Sequence, residues 1–291
     1  MNPSRASNPE RTATSARSAV PGPVPVRVLL VGGTSETRPV AEVLLAAGHA
    51  VLVSQATEVE LDLPEDPRLA VRRGRLDRDG FRQLAGECAI THVVDASHPF
   101  AVDLHRELEV ACAEGGIPRI RYERPAEPPP AWVEIVPDHA AAAMAASVHG
   151  LPILLTTGSR HLAPYAEAAR RAGIPLFARV LPGEESSRAC RGVELPSSRI
   201  EFARGPFSVE RTRALLRRWG IGVLVAKDGG AASGLVERLE AARREGVAAV
   251  LVRRPDPESG STDTFAGILE RIRALPEATA PPRSPTQETD P

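Results

Sequence analysis

Short apolar runs alternate with longer amphipathic patterns along this chain, and this alternation constrains its fold more than any other feature. The first half holds predicted strands at 26–31, 49–53, 69–72, 91–95 and 118–122, with predicted helices at 35–47, 77–87 and 99–114. The second half holds predicted strands at 132–136, 152–156, 175–180, 221–226 and 248–252, with helices at 138–148, from about 160, and at 208–219, 233–245 and 264–275. Helices between strands act as crossover connections, so the pattern predicts an α/β fold with mostly parallel sheets.

Consecutive prolines interrupt this alternation at residues 124–131, where they disfavour both helix and central strand. We therefore predict two Rossmann-like parallel-sheet domains, at 26–123 and 132–275, joined by a Pro-rich linker at 124–131. A cleft between two such domains is a preferred place for a small ligand. The Ser-, Arg- and Pro-rich segment 1–25 and the similar tail 276–291 are predicted to be disordered and to lie outside the fold.

The composition argues against several classes of protein. A formal net charge of -1 and 3% aromatic residues predict no nucleic-acid partner and no attraction to an anionic membrane. No apolar run reaches the roughly 18 residues that span a membrane, and residues 1–25 lack the apolar region of a secretory signal. The three cysteines, Cys88, Cys112 and Cys190, form no CxxC pair, so we predict no metal site, no disulfide framework and a cytoplasmic location.

A strand-to-helix junction near residues 93–101 places Asp95, Ser97 and His98 together, with Pro99 at a position suited to the first turn of the following helix. In an open α/β sheet such a junction lies at the carboxyl end of a strand, where ligands bind. An acid and an imidazole there predict a site. The alternative is that Asp95 or Ser97 only caps the helix.

The first strand ends in Gly32-Gly33-Thr34-Ser35-Glu36-Thr37-Arg38, a glycine-rich turn that opens a helix and suits a phosphate group. It is not the GxGxxG dinucleotide fingerprint, and a tight turn in which Glu36 only suits the helix dipole is the alternative. About 20 residues later, where an NAD-binding unit carries an acid, the chain has Ser54. A hydroxyl tolerates a 2′-phosphate, so we predict NADPH as the cofactor, with Arg38 as its counter-charge.

Strand ends of the second half repeat this chemistry. Thr156-Thr157-Gly158-Ser159-Arg160 forms a second candidate anion site, whose alternative is a Ser159 helix cap with a solvated Arg160. Lys227-Asp228 could hold a carboxylate or phosphate, or form a surface ion pair of little energetic consequence. The turn at Gly205-Pro206 could aim Phe207 at a flat ligand, although core packing is the commoner fate of a phenylalanine.

Taken together, these motifs resemble the precorrin-6A reductase family of cobalamin biosynthesis, including its cobalt-precorrin-6A form. The resemblance runs from about residue 26 to 275 and is completed by Arg179-Val180-Leu181-Pro182 and Arg253-Arg254-Pro255. It implies hydride transfer from NADPH to a ring double bond of a tetrapyrrole, with both molecules in the cleft. The family usually has Thr where Ala226 stands, Ser where Gly229 stands and Ala where Thr37 stands.

The motifs and the resemblance together predict three sets of site residues. The catalytic set is His98 and Lys227, and no residue is predicted to bind a metal. The predicted cofactor-binding residues are Gly32, Gly33, Thr34, Glu36, Arg38, Ser54, Thr157, Gly158, Ser159 and Arg160. The predicted substrate-binding residues are Arg179, Arg204, Gly205, Pro206, Phe207 and Asp228.

Corrin precursors carry many carboxylates, which arginines near strand ends are suited to bind. His98 is the first candidate for the proton donor, through an ordinary pKa near neutrality, with Lys227 or water as alternatives. Two rival functions stay open: another NADPH-dependent Rossmann reductase, and a dinucleotide-sensing binding protein that is not an enzyme. Neither Tyr122 nor Tyr165 is followed by Lys at Tyr-x-x-x-Lys spacing, which counts against the first rival. Other corrin-pathway enzymes are possible partners.

Overall fold

The computed structural model describes residues 26–56, 61–125, 128–230 and 233–275, and it contains two parallel sheets flanked by helices. The predicted terminal extensions at 1–25 and 276–291 lie outside the described residues, as do residues 126–127 of the predicted linker. The prediction of an α/β fold with two Rossmann-like units is confirmed.

The first sheet has five strands in the order β3-β2-β1-β4-β5, all parallel. Its elements are β1 Arg27–Val31, α1 Thr37–Ala46, β2 Ala50–Gln55, β3 Leu69–Arg73, α2 Arg78–Glu87, β4 His92–Asp95, α3 Val102–Gly115 and β5 Arg119–Arg121. The central strands β1 and β4 are apolar and almost fully buried, since helices cover both faces of the sheet.

The second sheet has six parallel strands in the order β6-β11-β10-β7-β8-β9. Its elements are β6 Glu134–Val136, α4 His139–Val148, β7 Ile153–Leu155, α5 Ala163–Ala172, β8 Leu176–Val180, α6 Glu184–Gly192, a 3₁₀ turn Ser197–Arg199, β9 Ile200–Phe202, α7 Val209–Trp219, β10 Val223–Lys227, α8 Leu235–Glu245 and β11 Ala248–Val252. Sequence reasoning missed α6 and β9. The first is short and polar with two buried residues, and the second is a three-residue edge strand that is largely accessible.

The last helix, α9 Phe265–Ala274, corrects the predicted boundaries at one point. It follows β11 in the chain, yet its buried Ile268 and Ile272 pack in the core cluster of the first sheet. Just before it, Thr262 pairs with Tyr122, which extends β5. The chain therefore crosses between the sheets twice, and α9 belongs with the first sheet rather than with the second. Otherwise, the predicted domain boundaries stay a prediction.

Each sheet has a topological switch point, where the strand order reverses and a crevice opens at the strand ends. In the first sheet it lies between β1 and β4, and in the second between β7 and β10. The Gly32–Glu36 and Asp95–His98 segments follow the first pair, and the Thr156–Arg160 and Asp228–Gly230 segments follow the second. The motifs identified from the sequence therefore lie at the two crevices of the fold.

Candidate active site

Residues from both switch points line one cavity of about 210 Å³ between the sheets. His98 comes from the first sheet, and the rest come from the strand ends and helix α8 of the second. The lining residues are His98, Thr156, Thr157, Gly158, Lys227, Gly229, Ser233 and Arg238. The predicted interdomain cleft is therefore present, and it brings together four of the predicted site residues: His98, Thr157, Gly158 and Lys227.

The glycine-rich turn after β1 is held from inside by a threonine hydroxyl. Thr37 Oγ1 accepts hydrogen bonds from the backbone amides of Gly33 (3.0 Å) and Thr34 (3.1 Å). A Cβ on Gly32 would lie 2.6 Å from the Thr37 side chain, so only glycine fits there. Gly33 has a φ of +95°, a conformation that favours glycine, and only Gln55 Cβ lies within 4 Å of its missing Cβ. The turn therefore leaves room for a ligand to approach its backbone.

Strand β2, next to this turn, is contacted by an arginine of β3 that the sequence analysis did not single out. Ser54, at the end of β2, accepts a hydrogen bond from Arg72 Nη1 across to β3 (3.2 Å). The other bonds of the Arg72 guanidinium go to the carbonyls of Gly74 (2.8 Å) and Arg75 (2.7 Å), so among the described residues no carboxylate neutralises it. Arg72, beside Ser54, is therefore a cation at this strand end whose partners are a hydroxyl and two carbonyls.

Arg38, the predicted counter-charge, is engaged elsewhere. Its guanidinium pairs with Glu42 one turn along α1 (2.8 Å) and with Asp62 (2.6 Å), and these two acids raise its pKa. The side chain is about half exposed on the helix surface. A guanidinium already neutralised by two carboxylates is a poor partner for a phosphate, which argues against the predicted role of Arg38.

Glu36 and Asp228 are predicted ligand-binding residues that the structure uses to join the two sheets. Glu36 forms a buried ion pair with Arg124, whose Nη1 also donates to the carbonyl of Gly229 in the second sheet (2.8 Å). Asp228 holds Arg254 through two hydrogen bonds (2.9 and 2.8 Å), and Arg254 donates to the carbonyl of Arg124 (3.0 Å). Arg124, at the start of the predicted linker, is therefore a buried clamp between the two crevices.

Asp95 is fully buried and acts as a brace. Its carboxylate accepts hydrogen bonds from the amide and hydroxyl of Ser97 (3.1 and 2.6 Å) and from Arg119 and Arg121 (2.7 and 3.2 Å). Burial alone would raise the pKa of Asp95, but Arg121, His105 and Arg119 outweigh it and hold the pKa below its ordinary value. The network fixes the turn that carries His98.

His98 faces the cavity, and its surroundings argue against the predicted role as a titrating proton donor. Burial, followed by the charges of Lys227, Arg124, Arg121 and Arg254, lowers the pKa of His98 to about 3. Its Nδ1 accepts from the amide of Phe100 (3.2 Å), which leaves the proton of the neutral ring on Nε2. His98 is therefore a neutral hydrogen-bond donor at physiological pH.

The position of His98 depends on an extra turn that the sequence did not predict. Pro99 is not in the first helical turn, because α3 begins at Val102 and Ala101 closes a turn onto the carbonyl of His98 (2.8 Å). The same turn sends Phe100 across the cleft, where it packs against the core of the second sheet. Phe100 lies under Lys227, whose Nζ is 4.9 Å from the ring centroid.

Lys227 is the titratable group of the cavity with a pKa near neutrality. Burial, followed by the charges of Arg160 and Arg238, lowers the pKa of Lys227 to about 8. It is also the only lysine in the 291-residue chain, in which arginine fills every other basic position among the 36 Lys and Arg residues. Arginine keeps its proton at any physiological pH, whereas a buried lysine can release it. This count is a signal for Lys227 that the sequence itself carries.

The four predicted residues that follow β7, Thr157 to Arg160, differ in their burial and partners. Thr157 is buried, and its Oγ1 has no hydrogen-bond partner among the described residues. Gly158, with a φ of +85°, turns the chain along the cavity wall. Ser159 contacts the hydroxyl of Ser186 (3.2 Å) and does not cap α5. Arg160 is exposed and lies 4.0 Å from Glu185.

Most of the predicted substrate residues lie outside this cavity. Buried Arg179 is bound to Glu201 and to Thr212 Oγ1 (3.3 Å), and its guanidinium lies 4.1 Å from the Phe207 ring centroid. Arg211 lies 4.9 Å from the same centroid, so the ring contacts two cations. The adjoining residues Arg204, Gly205 and Pro206 are exposed. The Phe207 ring is packed by the protein's own arginines, and its stacking on a substrate stays a prediction.

Two cavity residues, Ser233 and Arg238, went unnoticed in the sequence because they lie beyond the strand end, in and before α8. A Cβ on Gly229 would lie 2.9 Å from Ser233 Oγ and 3.4 Å from His98 Nε2. The hydroxyl absent at position 229 is therefore supplied at nearly the same place by Ser233. The signal for Arg238 is its spacing, since it lies one helical turn after Gly234 and faces back to the cavity.

The fold and the site define a two-domain α/β protein with a ligand cleft between the carboxyl ends of two parallel sheets. Residues 27–273 match the sequence model of the family described as Precorrin-6x reductase CbiJ/CobK, and the chain belongs to this family. This is the family whose motifs the sequence resembles.

Named relatives and a solved structure agree with this assignment. The chain is 32% identical to cobalt-precorrin-6A reductase of Priestia megaterium, over 84% of this chain and 97% of that protein. It is also 32% identical to precorrin-6A reductase of Rhodobacter capsulatus, over 84% of this chain and 94% of that protein. A solved structure titled CobK precorrin-6A reductase superposes with a TM-score of 0.68 at 29% identity, covering 86% of this chain and 96% of that one. Relatives at the same identity are therefore named for precorrin-6A and for cobalt-precorrin-6A.

The described residues contain neither a membrane-spanning helix nor a cluster of metal-ligating side chains. Within the described ranges, no helix combines the length and apolar character needed to cross a membrane. The same residues contain no cluster of three or more His, Cys, Asp or Glu side chains arranged to hold a metal ion.

Proposed function

We propose that this member of the family is an NADPH-dependent reductase that converts precorrin-6A, or its cobalt form, to the 6B form by reducing one ring double bond. The observation that carries the proposal is the convergence of both switch points on one cavity, with a titratable Lys227 inside it. In the proposed reaction one carbon of the double bond gains a hydride and its partner atom gains a proton, so NADPH and one proton are consumed.

The first-sheet crevice fits the cofactor. NADPH, when bound, supplies the hydride. The open approach to the Gly33 backbone and the positive end of α1 suit its pyrophosphate. Arg72, held by carbonyls and by Ser54 and not by an acid, suits the 2′-phosphate that distinguishes NADPH from NADH. The preference for NADPH rests on this pair.

The proton is proposed to come from Lys227. A general acid works best when its pKa lies near the operating pH, and the pKa of about 8 leaves Lys227 protonated at neutrality and able to release its proton. Neutral His98, held by the Phe100 amide, keeps its Nε2–H directed at the cavity as a fixed hydrogen-bond donor. Its proposed task is to orient the substrate, while Lys227 moves the proton.

The experiment that tests this proposal is a turnover assay under anaerobic conditions. The purified protein is mixed with NADPH and either precorrin-6A or cobalt-precorrin-6A, and the nicotinamide absorbance band is followed. We expect substrate-dependent loss of the band, faster with NADPH than with NADH. NADPH binding without consumption, with both tetrapyrroles, would instead support the dinucleotide-sensing alternative. The side-by-side rates also show which form of the substrate is preferred.

Two features of the wider proposal rest on the pathway and not on this geometry. A cytoplasmic location and contacts with other corrin-pathway enzymes stay predictions. Fractionation of the native cell with antibody detection tests the first, and cross-linking in the same extract tests the second.

A further inference from the structure

Three hydrogen-bonding atoms near the cavity are shielded from solvent and have no partner among the described residues. They are Nε of Arg238, Nη2 of Arg179 and Oγ1 of Thr157. Shielded polar atoms are normally satisfied, because leaving one unpaired costs about 1–3 kcal/mol. Two of these atoms belong to guanidinium groups, which only donate, and a hydroxyl can also donate. A shielded acceptor nearby, Oε2 of Glu237, is also without a hydrogen-bond partner and pairs with none of these three donors. The donors therefore still lack an acceptor in this corner of the cleft.

The charge in this corner is uncompensated as well. Arg238 donates Nη1 to the carbonyl of Ser233 (3.0 Å), and among the described residues no carboxylate lies within ion-pair distance of it. Neighbouring Glu237 does not pair with it, although its charge acts in the opposite direction to that of Arg179. Burial and the charge of nearby Arg179 lower the pKa of Arg238 to about 10.

Other arginines of the same helix behave differently. Arg243 and Arg244, on the exposed side of α8, both pair with Glu240 at 2.6 to 2.9 Å. On this helix Glu240 neutralises the two solvated arginines, whereas Glu237, beside Arg238, does not form an ion pair with it. A partly buried arginine without an acid is costly in a protein that binds nothing there.

We propose that Arg238 and Thr157 form a subsite for one oxyanion of a bound ligand, with Arg179 adding positive potential from behind. The guanidinium and the hydroxyl line the same cavity as Lys227, so the anion lies beside the proposed proton donor. This inference rests on the proposed function, which offers two oxyanion sources: a peripheral carboxylate of the tetrapyrrole and a phosphate of NADPH. Both are acceptor-only groups that a guanidinium binds strongly.

The test compares R238Q, R238K and T157V with the wild-type protein. The dissociation constant of NADPH is measured by fluorescence, and that of precorrin-6A by absorbance titration in the presence of NADP⁺. Losing a charge-assisted hydrogen bond in a shielded site corresponds to roughly a 10- to 100-fold weaker affinity. We expect R238Q to raise the dissociation constant of one of the two ligands by that factor. T157V should raise the dissociation constant of the same ligand about 5-fold, and R238K should recover part of the lost affinity.

The matched control is R243Q, which removes an arginine paired with Glu240 on the outer face of the same helix. It should change neither dissociation constant. Weaker binding of precorrin-6A alone assigns the subsite to a carboxylate of the tetrapyrrole. Weaker binding of NADPH alone assigns it to a phosphate of the cofactor. If R238Q and T157V bind both ligands as tightly as the wild type, the proposed subsite is wrong. Turnover by the wild type in the same experiment would still support the proposed function. A wild-type protein that turns over neither tetrapyrrole overturns the proposed function itself. T157V keeps the test valid if R238Q does not fold.

Discussion

The carboxyl edges of the two sheets both carry charged side chains, but the partners of these charges differ between the edges. At the first edge, Asp95 is bound by Arg119 and Arg121, and Glu36 is bound by Arg124. At the second edge, Lys227 and Arg238 face the cavity with no acid in ion-pair distance among the described residues. The first edge is closed around Asp95 and Glu36 by its own ion pairs, with Arg72 on β3 as an exception. The second edge is open around Lys227 and Arg238, although Asp228 beside them is paired with Arg254.

The difference shows how burial separates structural charge from functional charge. A buried ion pair with good geometry holds loops in one arrangement, and removing one partner is strongly destabilising. A partly buried cation without a partner is instead poised to bind an anion or to lose its proton. Sequence motifs at both edges look alike, so only the pairing distinguishes their roles.

The largest expected effect comes from breaking the closed edge with D95A. The variant removes the buried carboxylate that both Arg119 and Arg121 contact, and Arg121 keeps only the more distant Glu123 and Glu258 (3.7 and 4.0 Å). We therefore expect unfolding to need about 3–5 kcal/mol less free energy. Urea denaturation at pH 7 measures it, with D79A as the control because Asp79 pairs with Arg82 on an exposed helix face. A D95A midpoint equal to that of D79A would contradict the role of the brace.

The same network predicts a pH dependence. Because the folded state lowers the pKa of Asp95, its contribution to stability is complete above the unfolded value of about 3.9 and is lost as the pH falls through the folded pKa. The stability of the wild type should therefore fall more than that of D95A on acidification below pH 4.

A second prediction concerns the open edge and its only lysine. K227R keeps the positive charge but removes a proton that can be released, so we expect kcat to fall by about 100-fold. The wild-type rate should decrease as the pH rises above about 8, and K227R should lose that limb. H98A should retain the limb, because the pKa of His98 is about 3.

The single lysine also allows a direct measurement. Protein labelled with ¹³C-ε-lysine gives one side-chain NMR signal, and its titration reports the pKa of Lys227 without assignment by mutagenesis. A midpoint near 10.5, the ordinary lysine value, would refute the proposed proton donor.

A third prediction tests the cation beside Ser54. R72L should lower kcat/KM for NADPH by about 10- to 100-fold and leave kcat/KM for NADH almost unchanged, because only NADPH carries the 2′-phosphate. The measurement is the ratio of kcat/KM for the two cofactors. R73L is the matched control, since adjacent residues of a strand point to opposite faces. Equal loss for both cofactors would place Arg72 outside the 2′-phosphate site.

The smallest effect is expected for R38A. Its guanidinium is already bound by Glu42 and Asp62, so KM for NADPH should change less than about 3-fold. Steady-state kinetics at low ionic strength, where surface charge acts most strongly, is the sharpest check. A shift in KM as large as that of R72L would restore Arg38 as the counter-charge.

Much of the fold could be predicted because the periodicity of the chain is strong. Apolar strands followed by amphipathic helices predicted both parallel sheets, including all five described strands of the first. The errors fall where periodicity is weak or contacts are distant: the polar helix α6, the edge strand β9, and α9, whose packing on the first sheet depends on a second crossing of the chain. The candidate site could be outlined because ligand chemistry gathers at strand ends. The pairing of Asp228 with Arg254 and the lowered pKa of His98 could not be predicted, because they depend on partners remote in sequence.

By itself, the sequence determined the α/β class, the two sheets and the strand ends where chemistry gathers, because these depend on local propensity and on the order of elements. It also indicated Lys227, because this is the single lysine of the chain. The tertiary structure alone decided which charges are paired, that His98 is neutral, and that Arg72 and Arg238 have no acid partner among the described residues. Those properties arise from burial and from neighbours brought together across the fold, which no local pattern encodes.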